Sequence, residues 1–450
     1  MAFPSILLFL VLLVPGLAQQ IYPKNYWLRD NEPVTTKSPP LEDVGDKLVL
    51  TPYLRSGKIQ EAQKLSRVLG APFPDDIPSY SGFFTVNEKY DSNLFFWFFP
   101  AQYSYMEAPV LLWLQGGPGT TSLYGLFKEM GPFTVAKDNI NLVENPFSYH
   151  KNHSLLFTDN PVGAGFSYTN ATEGYARNQT QIGDQLYSAV VQFFTLFPEL
   201  QNHDFFITGE SYAGLVIGNG FTDPLTILNH GDYAYQLGLI DLNIWGEMKA
   251  VEDEARDYIA NGNYYQAFCN HAKTLAQFDF NAYVSPYNVL YYKNDDSAGD
   301  FGVFVQSNPV RRAIHVGSQP FGENVLTVYN QLMDEYMVSV KPWVEELLDN
   351  GYRVFFYNGQ LDYMCGYPML LKLFQSLNFN SAQEYTTASR KLWTVSRVLA
   401  GYTKTAGNFT EILVRNSGHY VPYDQPEFAF DLIYRATRNT FHTAINEQDN

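Results

Sequence analysis

A short apolar strand that ends in a serine flanked by small residues constrains the fold of this chain most strongly. The run 205–207 (Phe-Phe-Ile) has a buried-strand pattern and leads into Gly209-Glu210-Ser211-Tyr212-Ala213-Gly214. A serine on a sharp turn at a strand end needs small residues two positions away on either side, because the chain approaches itself closely there. Such a turn exposes the hydroxyl to a base that can take its proton. Because G-x-S-x-A also occurs at ordinary strand–loop junctions, it predicts a nucleophile only together with other motifs.

Further strands surround this one in the sequence. The segments 94–99, 109–114 and 155–158 are largely apolar at every position, as strands covered on both faces are. Apolar residues recur at helical spacing from Ile182 to Phe197 and predict an amphipathic helix before the serine strand. Strands that alternate with helices predict an α/β fold with a mostly parallel central sheet and helices on both faces.

Composition limits the class of protein and its partners. The chain has 450 residues, of which 46% are hydrophobic, so it can bury a sizeable core. Its net charge of −17 argues against nucleic acid and anionic membrane surfaces as partners. We expect no cofactor and no metal. Two cysteines, Cys269 and Cys365, are too few for a disulfide framework, and the sequence leaves open whether they pair or stay free.

The N-terminal region is typical of a secreted chain. Residues 1–18 contain an unbroken apolar run followed by small residues, which predicts a signal peptide. The run is shorter than a membrane span, so we expect no membrane anchor. Four N-x-S/T sequons agree with the secretory pathway and predict glycosylation, in a secreted or lysosomal protein, at Asn152, Asn170, Asn178 and Asn408.

The rest of the chain divides at changes in composition. Residues 19–50 are polar and proline-rich and predict an N-terminal extension or propeptide. Residues 51–224 and 309–450 carry the strand patterns and predict the two parts of the core. Residues 225–308 are acidic and mostly helical in pattern, which predicts a cap inserted between these parts.

The segment after the serine conflicts with a regular parallel sheet. The run 215–218 (Leu-Val-Ile-Gly) has a strand pattern and follows Gly214 at once. A crossover between parallel strands needs about a dozen residues, usually a helix. The sequence therefore predicts that the helix after Ser211 is missing.

Two later strand ends carry the partners that a serine nucleophile needs. The strand pattern 353–357 leads to Asp362, and the pattern 412–414 leads to His419. Each residue alone has an ordinary structural explanation, as a turn aspartate or a structural histidine. Together with Ser211 they follow the order nucleophile, acid, histidine of the α/β-hydrolases. His419 would accept the serine proton and Asp362 would orient the imidazole, so the set predicts a serine hydrolase.

An ordered set of motifs is similar to a known family. The motifs are W-L-Q-G-G-P-G (113–119), D-N-P-V-G-A-G-F-S (159–167), G-E-S-Y-A-G (209–214), N-G-Q-L-D (358–362) and G-H-Y-V-P-Y-D-Q-P (418–426). Over most of residues 50–440 the chain resembles the serine carboxypeptidases, with the greatest likeness to their vitellogenic-like subgroup. The resemblance implies release of single C-terminal amino acids from peptides or proteins through an acyl-enzyme, usually at acidic pH, in lysosomes or outside the cell.

The resemblance also implies roles for individual residues. Ser211, Asp362 and His419 would be the triad, and the backbone amides of Gly117 and Tyr212 would form the oxyanion hole. The substrate's terminal carboxylate would be bound at Trp113, Gln115, Gly116, Glu129 and Glu210. A carboxylate is tolerated beside two glutamates only if they share protons, which low pH supplies.

Departures from the family pattern leave more than one function open. Gln115 stands where asparagine is more usual, and Thr120 stands where many members have a disulfide cysteine. On the order of thirty residues, the length of a crossover unit, are absent after Gly214. The chain is therefore either an active carboxypeptidase or an inactive homologue or isoform that acts as a binding or decoy protein. A narrower alternative is acyl transfer by the same triad to an acceptor other than water.

Overall fold

The computed structural model describes residues 43–212, 216–292, 299–323 and 325–441. The predicted signal peptide and most of the predicted N-terminal extension lie outside the described residues, and so do residues 213–215. The end of that extension is part of the fold, because Leu50 is fully buried and its backbone N–H donates to the Phe83 carbonyl.

Twelve strands lie in the described part of the chain. They are β1 (Tyr80–Asn87), β2 (Ser92–Phe99), β3 (Val110–Leu114), β4 (Phe133–Val135), β5 (Leu142–Glu144), β6 (Ser154–Thr158), β7 (Phe205–Glu210), β8 (Val216–Gly218), β9 (Val354–Gly359), β10 (Lys391–Val395), β11 (Val398–Ala406) and β12 (Phe409–Val414). β4 and β5 form a separate hairpin, and the other ten form one sheet in the order β1-β2-β6-β3-β7-β8-β9-β12-β11-β10. Six neighbouring strands in the middle of this sheet are parallel: β6, β3, β7, β8, β9 and β12. The two strands at each edge are antiparallel.

Helices flank the sheet and form the insertion before β9. They are α1 (Thr51–Arg55), α2 (Ile59–Ser66), α3 (Gln179–Leu196), α4 (Pro224–Ile227), α5 (His230–Gln236), α6 (Leu242–Ala260), α7 (Tyr264–Ala282), α8 (Phe301–Val305), α9 (Asn308–Ala313), α10 (Leu326–Gln331), α11 (Lys341–Asp349), α12 (Tyr367–Ser376), α13 (Ala382–Thr387), α14 (Val421–Asp424) and α15 (Pro426–Arg438). This arrangement confirms the predicted α/β fold with a mostly parallel sheet.

One face of the sheet is covered continuously. Because alternate strand residues point to the same face, side chains such as Trp97, Trp113, Phe355 and Trp393 line it from β2 to β10. They form a single buried cluster with apolar residues of α15, including Leu432. This face therefore packs as one core.

The opposite face is covered in two separate parts. One cluster joins β1, β2, β6 and β3 to α3, and another joins β8 and β9 to α11, α12 and the inserted helices α6 and α7. The central strand β7 lies between the two clusters, and its Phe205 and Ile207 are only half-buried where they pack against the edge of the first cluster. Nearby, α3 exposes Tyr187 and Val191, with 72% and 47% of their surfaces accessible. The core is thus interrupted beside the strand that carries the serine.

The connection from β7 to β8 is short. β7 ends at Glu210 and β8 begins at Val216, and the two strands pair in parallel with Thr208 opposite Val216. Three of the five connecting residues lie outside the described residues. That a helix found in relatives is missing here stays a prediction.

The hairpin of β10 and β11 was not anticipated from the sequence. Its turn residues, Ser396 and Arg397, have φ angles of 49° and 64°, a left-handed conformation usually marked by asparagine or glycine. β10 is mostly exposed, so it also lacks an apolar run. The hairpin therefore had neither a turn signal nor a core signal in the sequence.

Two further sequence questions have structural answers. Cys269 is half-buried and Cys365 is buried, and both are free thiols. Within the described segments, every helix is too short or too polar to cross a bilayer.

We predict that the interruption of the core shows in mutant stability. Leu112 and Ile207 are opposite each other on neighbouring strands and face the same side, but Leu112 is fully buried and Ile207 is not. Leu112→Ala should lower the free energy of unfolding by about 2–5 kcal/mol, and Ile207→Ala by less than half as much. Urea denaturation measures both; equal losses would show that the face over β7 is covered in solution.

Candidate active site

The carboxyl ends of four parallel strands bring the predicted site residues to one edge of the sheet. β3 leads to Gly116, β7 to Ser211, β9 to Asp362 and β12 to His419. The last two loops touch, because a Cβ on Gly359 would lie 1.8 Å from the Gly418 carbonyl oxygen. This edge is where open α/β sheets form their sites.

Ser211 stands on the sharp turn that the sequence predicted. Its φ angle is 61°, a left-handed conformation that is strained for a non-glycine residue. Two backbone bonds hold it: the Ser211 N–H donates to the Gly218 carbonyl, and the Phe221 N–H donates to the Ser211 carbonyl, both at 2.9 Å. The strained conformation is therefore held in place by β8 and by the residues that follow it.

Asp362 and His419 form a buried hydrogen-bonded pair. His419 Nδ1 lies 3.0 Å from Asp362 Oδ2, and both side chains are at least 97% buried. An aspartate that accepts from Nδ1–H leaves Nε2 as the acceptor nitrogen of a neutral imidazole. Asp362 also accepts from Asn219 Nδ2 at 2.6 Å and from the Met364 N–H at 2.9 Å. The pair thus has the tautomer and the orientation that a general base needs.

Ser211 is not bonded to this pair. Among the described hydrogen bonds, the His419 ring is bonded to Asp362, and none joins it to the Ser211 hydroxyl. Tyr287 also holds His419: the His419 backbone N–H donates to the Tyr287 carbonyl at 2.6 Å, and the Tyr287 ring packs near the imidazole. The structure therefore brings two of the predicted triad residues together and places the third at the same edge.

The glycines after β3 lie directly against the serine turn. A Cβ on Gly116 would be 2.7 Å from the Ser211 Cβ and 2.9 Å from the Tyr212 backbone nitrogen. Gly117 has a φ angle of 113°, which only glycine adopts readily. The backbone of this loop is thus next to the Tyr212 amide, as the predicted oxyanion hole requires.

A buried chain of side chains continues from the same loop. Trp113 Nε1 donates to Gln115 Oε1 at 2.8 Å, and Gln115 Nε2 donates to Glu210 Oε1 at 3.1 Å. Glu210 in turn contacts the Glu129 carboxyl. Glu129 ends a single π-helical turn that begins at Gly125, where a Cβ would lie 2.3 Å from Trp113 Nε1. The structure therefore joins four of the five residues predicted to bind a carboxylate.

We expect the two buried glutamates to share a proton. Burial raises the pKa of Glu129 to about 8, and burial together with the neighbouring Glu129 raises the pKa of Glu210 well above its usual range. Among the described residues, Gln115 is the side chain that donates to this pair, and Glu210 Oε2 has no hydrogen-bond partner. Two adjacent carboxylates cannot both ionise away from water, so the pair carries at least one proton at neutral pH.

Two contacts at the site were not anticipated from the sequence. Asn219 bonds Asp362, and its signal was an asparagine between two glycines after a strand pattern. Asp424 accepts from the Gly418 N–H at 2.6 Å and from Asn288 Nδ2 at 2.9 Å, so it ties the histidine loop to the segment before α8. The second contact depends on a long-range approach that no local pattern encodes.

One cluster has the donor atoms for a metal ion. Asp362, Cys365 and His419 each offer an atom, and these atoms lie within 4.8 Å of one another. Burial raises the pKa of the Cys365 thiol well above its ordinary value. A protonated thiol is a poor metal ligand, so the cluster fits an aspartate–histidine pair beside a small buried side chain better than a metal centre.

The predicted glycosylation sites are at or near the surface. Asn170 and Asn408 are exposed, and Asn152 and Asn178 are half-buried. Asn178 also caps α3, because its side chain accepts from the Gln181 N–H at 2.9 Å.

Comparison with known proteins agrees with this fold. The model of the serine carboxypeptidase family, Peptidase_S10, matches residues 70–217 and 214–439. The chain resembles Kex1(delta)p, a prohormone-processing carboxypeptidase from Saccharomyces cerevisiae, with a TM-score of 0.72 and 21% sequence identity over 84% of this chain and 96% of that one. The fold is that of an α/β-hydrolase.

Sequence relatives define the family more closely. The venom serine carboxypeptidase of Apis mellifera is 43% identical, covering 88% of this chain and 92% of that protein. The vitellogenic carboxypeptidase of Aedes aegypti is 42% identical, covering 88% and 91%. The probable serine carboxypeptidase CPVL of Homo sapiens is 37% identical, covering 96% of each. This chain belongs to the serine carboxypeptidase family of hydrolases.

We predict that the glutamate pair makes stability depend on pH. The folded-state pKa of Glu129, about 8, is above its unfolded value, so its contribution is fully present below about pH 4.5 and is lost as the pH rises through 8. Glu129→Gln should therefore flatten the fall in Tm between pH 5 and 8.5. The exposed Glu144→Gln is the control and should keep the wild-type profile. An unchanged profile in Glu129→Gln would contradict a shared proton.

Proposed function

We propose that this protein is an active serine carboxypeptidase that releases C-terminal amino acids from peptides through an acyl-enzyme on Ser211. The observation that supports this most is the buried pair of His419 and Asp362 at the edge where Ser211 is held in a strained turn. Family membership supports the same reaction.

The chemistry follows from the positions of these groups. The Ser211 hydroxyl attacks the last peptide carbonyl and gives its proton to His419 Nε2 once the turn brings the two groups within hydrogen-bond distance. Asp362 stabilises the imidazolium that forms, and His419 then protonates the leaving amine. The backbone N–H groups of Gly117 and Tyr212 stabilise the oxyanion. Water then attacks the acyl-enzyme by the same steps and frees the Ser211 hydroxyl.

The proton-sharing glutamates give a reason for C-terminal cleavage. A free carboxylate is repelled by ionised neighbours, but a protonated Glu129–Glu210 pair can donate a hydrogen bond to it. The Trp113 N–H orients the Gln115 amide, which has a second N–H to donate and, with the Gly116 backbone, completes this subsite. Because the pair loses its proton as the pH rises, we propose that the enzyme acts best at acidic pH.

The substrates and location are part of the same proposal. The partners are peptides or proteins with a free C-terminus. The apolar segment of residues 1–18 and the surface positions of the sequons support passage through the secretory pathway to a secreted or lysosomal location.

We predict that removal of the Ser211 hydroxyl abolishes release of a C-terminal residue. Wild-type protein should release free amino acid from a blocked dipeptide near pH 5, and Ser211→Ala should be slower by at least 10³-fold because no acyl-enzyme forms. Ser396→Ala changes an exposed serine and should leave the rate unchanged. Equal release by Ser211→Ala would refute the proposal. Product analysis with an added amine would separate hydrolysis from acyl transfer.

A second candidate is an inactive homologue or isoform that acts as a binding or decoy protein. The interrupted core at β7 favours it, and the family match divides at residues 214–217, close to the same place. The match to the Apis mellifera relative has a length of 438, whereas 88% of this 450-residue chain is about 396 residues, some forty fewer. A missing helix would leave Ser211 without the dipole that supports its oxyanion region.

We predict that a fluorophosphonate probe distinguishes the two candidates. An active chain should be labelled at Ser211. Gly116→Ala should then lower the labelling rate at least tenfold, because the new methyl would be 2.7 Å from the Ser211 Cβ. Folded wild-type protein that takes up no probe would support the inactive candidate. Mass spectrometry of the labelled peptide is the measurement.

A further inference from the structure

The motif D-N-P-V-G-A-G-F-S begins with a buried aspartate that the proposed reaction does not use. Asp159 follows β6 and is 1% exposed. Its backbone N–H donates to the Phe95 carbonyl, so it is fixed to β2 of the sheet. Among the described hydrogen bonds, none joins the Asp159 side chain to Asp362 or His419. A buried carboxyl group with no catalytic contact needs another explanation.

One carboxyl oxygen holds the loop that follows β3. Asp159 Oδ1 accepts from Thr121 Oγ1 at 2.5 Å and from the Ser122 N–H at 3.0 Å. Ser122 Oγ donates to the Thr158 carbonyl at 2.6 Å and accepts from the Gln115 N–H at 3.2 Å. We call residues 115–122 the oxyanion loop. Both ends of this loop are therefore bonded, directly or through Ser122, to the end of β6.

The other oxygen holds the motif's own glycine turn. Asp159 Oδ2 accepts from the Phe166 N–H at 2.8 Å. It lies so close to Gly165 that a Cβ there would be 1.9 Å away. Gly165 exchanges two backbone hydrogen bonds with Gly322, and the Glu323 carbonyl accepts from the Thr121 N–H at 2.8 Å. Asp159 thus joins the oxyanion loop to two other loops.

We propose that Asp159 is a positioning residue for the oxyanion hole: it fixes the oxyanion loop so that the Gly117 N–H stays beside the Tyr212 N–H. This inference rests on the proposed function for its catalytic consequence. Its structural consequence, a loop held by one carboxylate, does not depend on activity.

The geometry requires a carboxylate at this position. Three donors, two backbone N–H groups and one hydroxyl, converge on two oxygens. An asparagine offers one oxygen and turns an N–H₂ group toward a backbone N–H in either orientation, so one buried donor loses its acceptor. Burial raises the pKa of Asp159 to about 6, while the three donors act in the opposite direction and favour the ionised form.

The test compares Asp159→Asn with a control on the same motif. Ser167→Ala removes two buried hydrogen bonds, from the Phe95 N–H and to the Asp159 carbonyl, without contact to the oxyanion loop. On a blocked dipeptide at pH 7, above the Asp159 pKa of about 6, Asp159→Asn should lower kcat at least tenfold and change KM less than threefold. Thr121→Val, which removes one of the three donors, should have an intermediate effect on kcat. Ser167→Ala should keep kcat within twofold even where its Tm falls.

Hydrogen exchange provides a readout that does not need catalysis. Peptides covering the oxyanion loop should exchange at least tenfold faster in Asp159→Asn, faster in Thr121→Val, and at the wild-type rate in Ser167→Ala. If Asp159→Asn does not fold, Thr121→Val decides by the same two measurements. The positioning role is overturned if the exchange rate of the oxyanion loop or the kcat of Asp159→Asn changes no more than that of Ser167→Ala. A wild-type chain without activity overturns the proposed function instead, and exchange alone then decides the structural role.

Discussion

The parallel pairing of the six central strands is the constraint on which the rest of the molecule depends. Parallel strands end at one edge, so residues that are separated by up to some three hundred positions in the sequence meet there. At that edge backbone hydrogen bonds hold the serine turn, and side-chain hydrogen bonds hold the aspartate–histidine pair and the glycine loop. The side chains that could react are therefore oriented by the sheet, and the apolar core that stabilises the sheet also positions the site.

The second feature of this site is a set of buried carboxyl groups. Glu129, Glu210 and Asp159 all lie in the core around the oxyanion loop, and burial raises the pKa of each. They serve different purposes. The glutamates lie side by side with raised pKa values, as the proposed subsite for a substrate carboxylate requires, whereas Asp159 has three donors that suit a charged acceptor. Neighbouring donors, rather than burial alone, decide whether a buried acid acts as a proton store or as a structural anchor.

One face of the sheet is incompletely covered at β7, the strand that leads to the short connection after Ser211. A central strand in an α/β fold is normally covered on both faces. Here Phe205 and Ile207 of β7 remain half-buried, and α3 also exposes apolar side chains. The same five-residue connection determines how the serine turn is supported, so stability and reactivity depend on the same part of the chain.

The sequence by itself determined the α/β class, the family, and the residues that meet at the sheet edge, because apolar strand patterns and glycine-bounded motifs are local signals. It also indicated the short connection after Gly214 as a conflict. Only the tertiary structure decided that Asn219 supports Asp362, that Asp424 ties the histidine loop, and that Asp159 bonds the oxyanion loop, since each contact joins segments that are distant or unrelated in pattern. The hairpin of β10 and β11 also depended on the fold, because its turn lacks the usual residues and pairing with β12 supplies its stability. Local patterns specify elements, and long-range packing specifies which donors meet which acceptors.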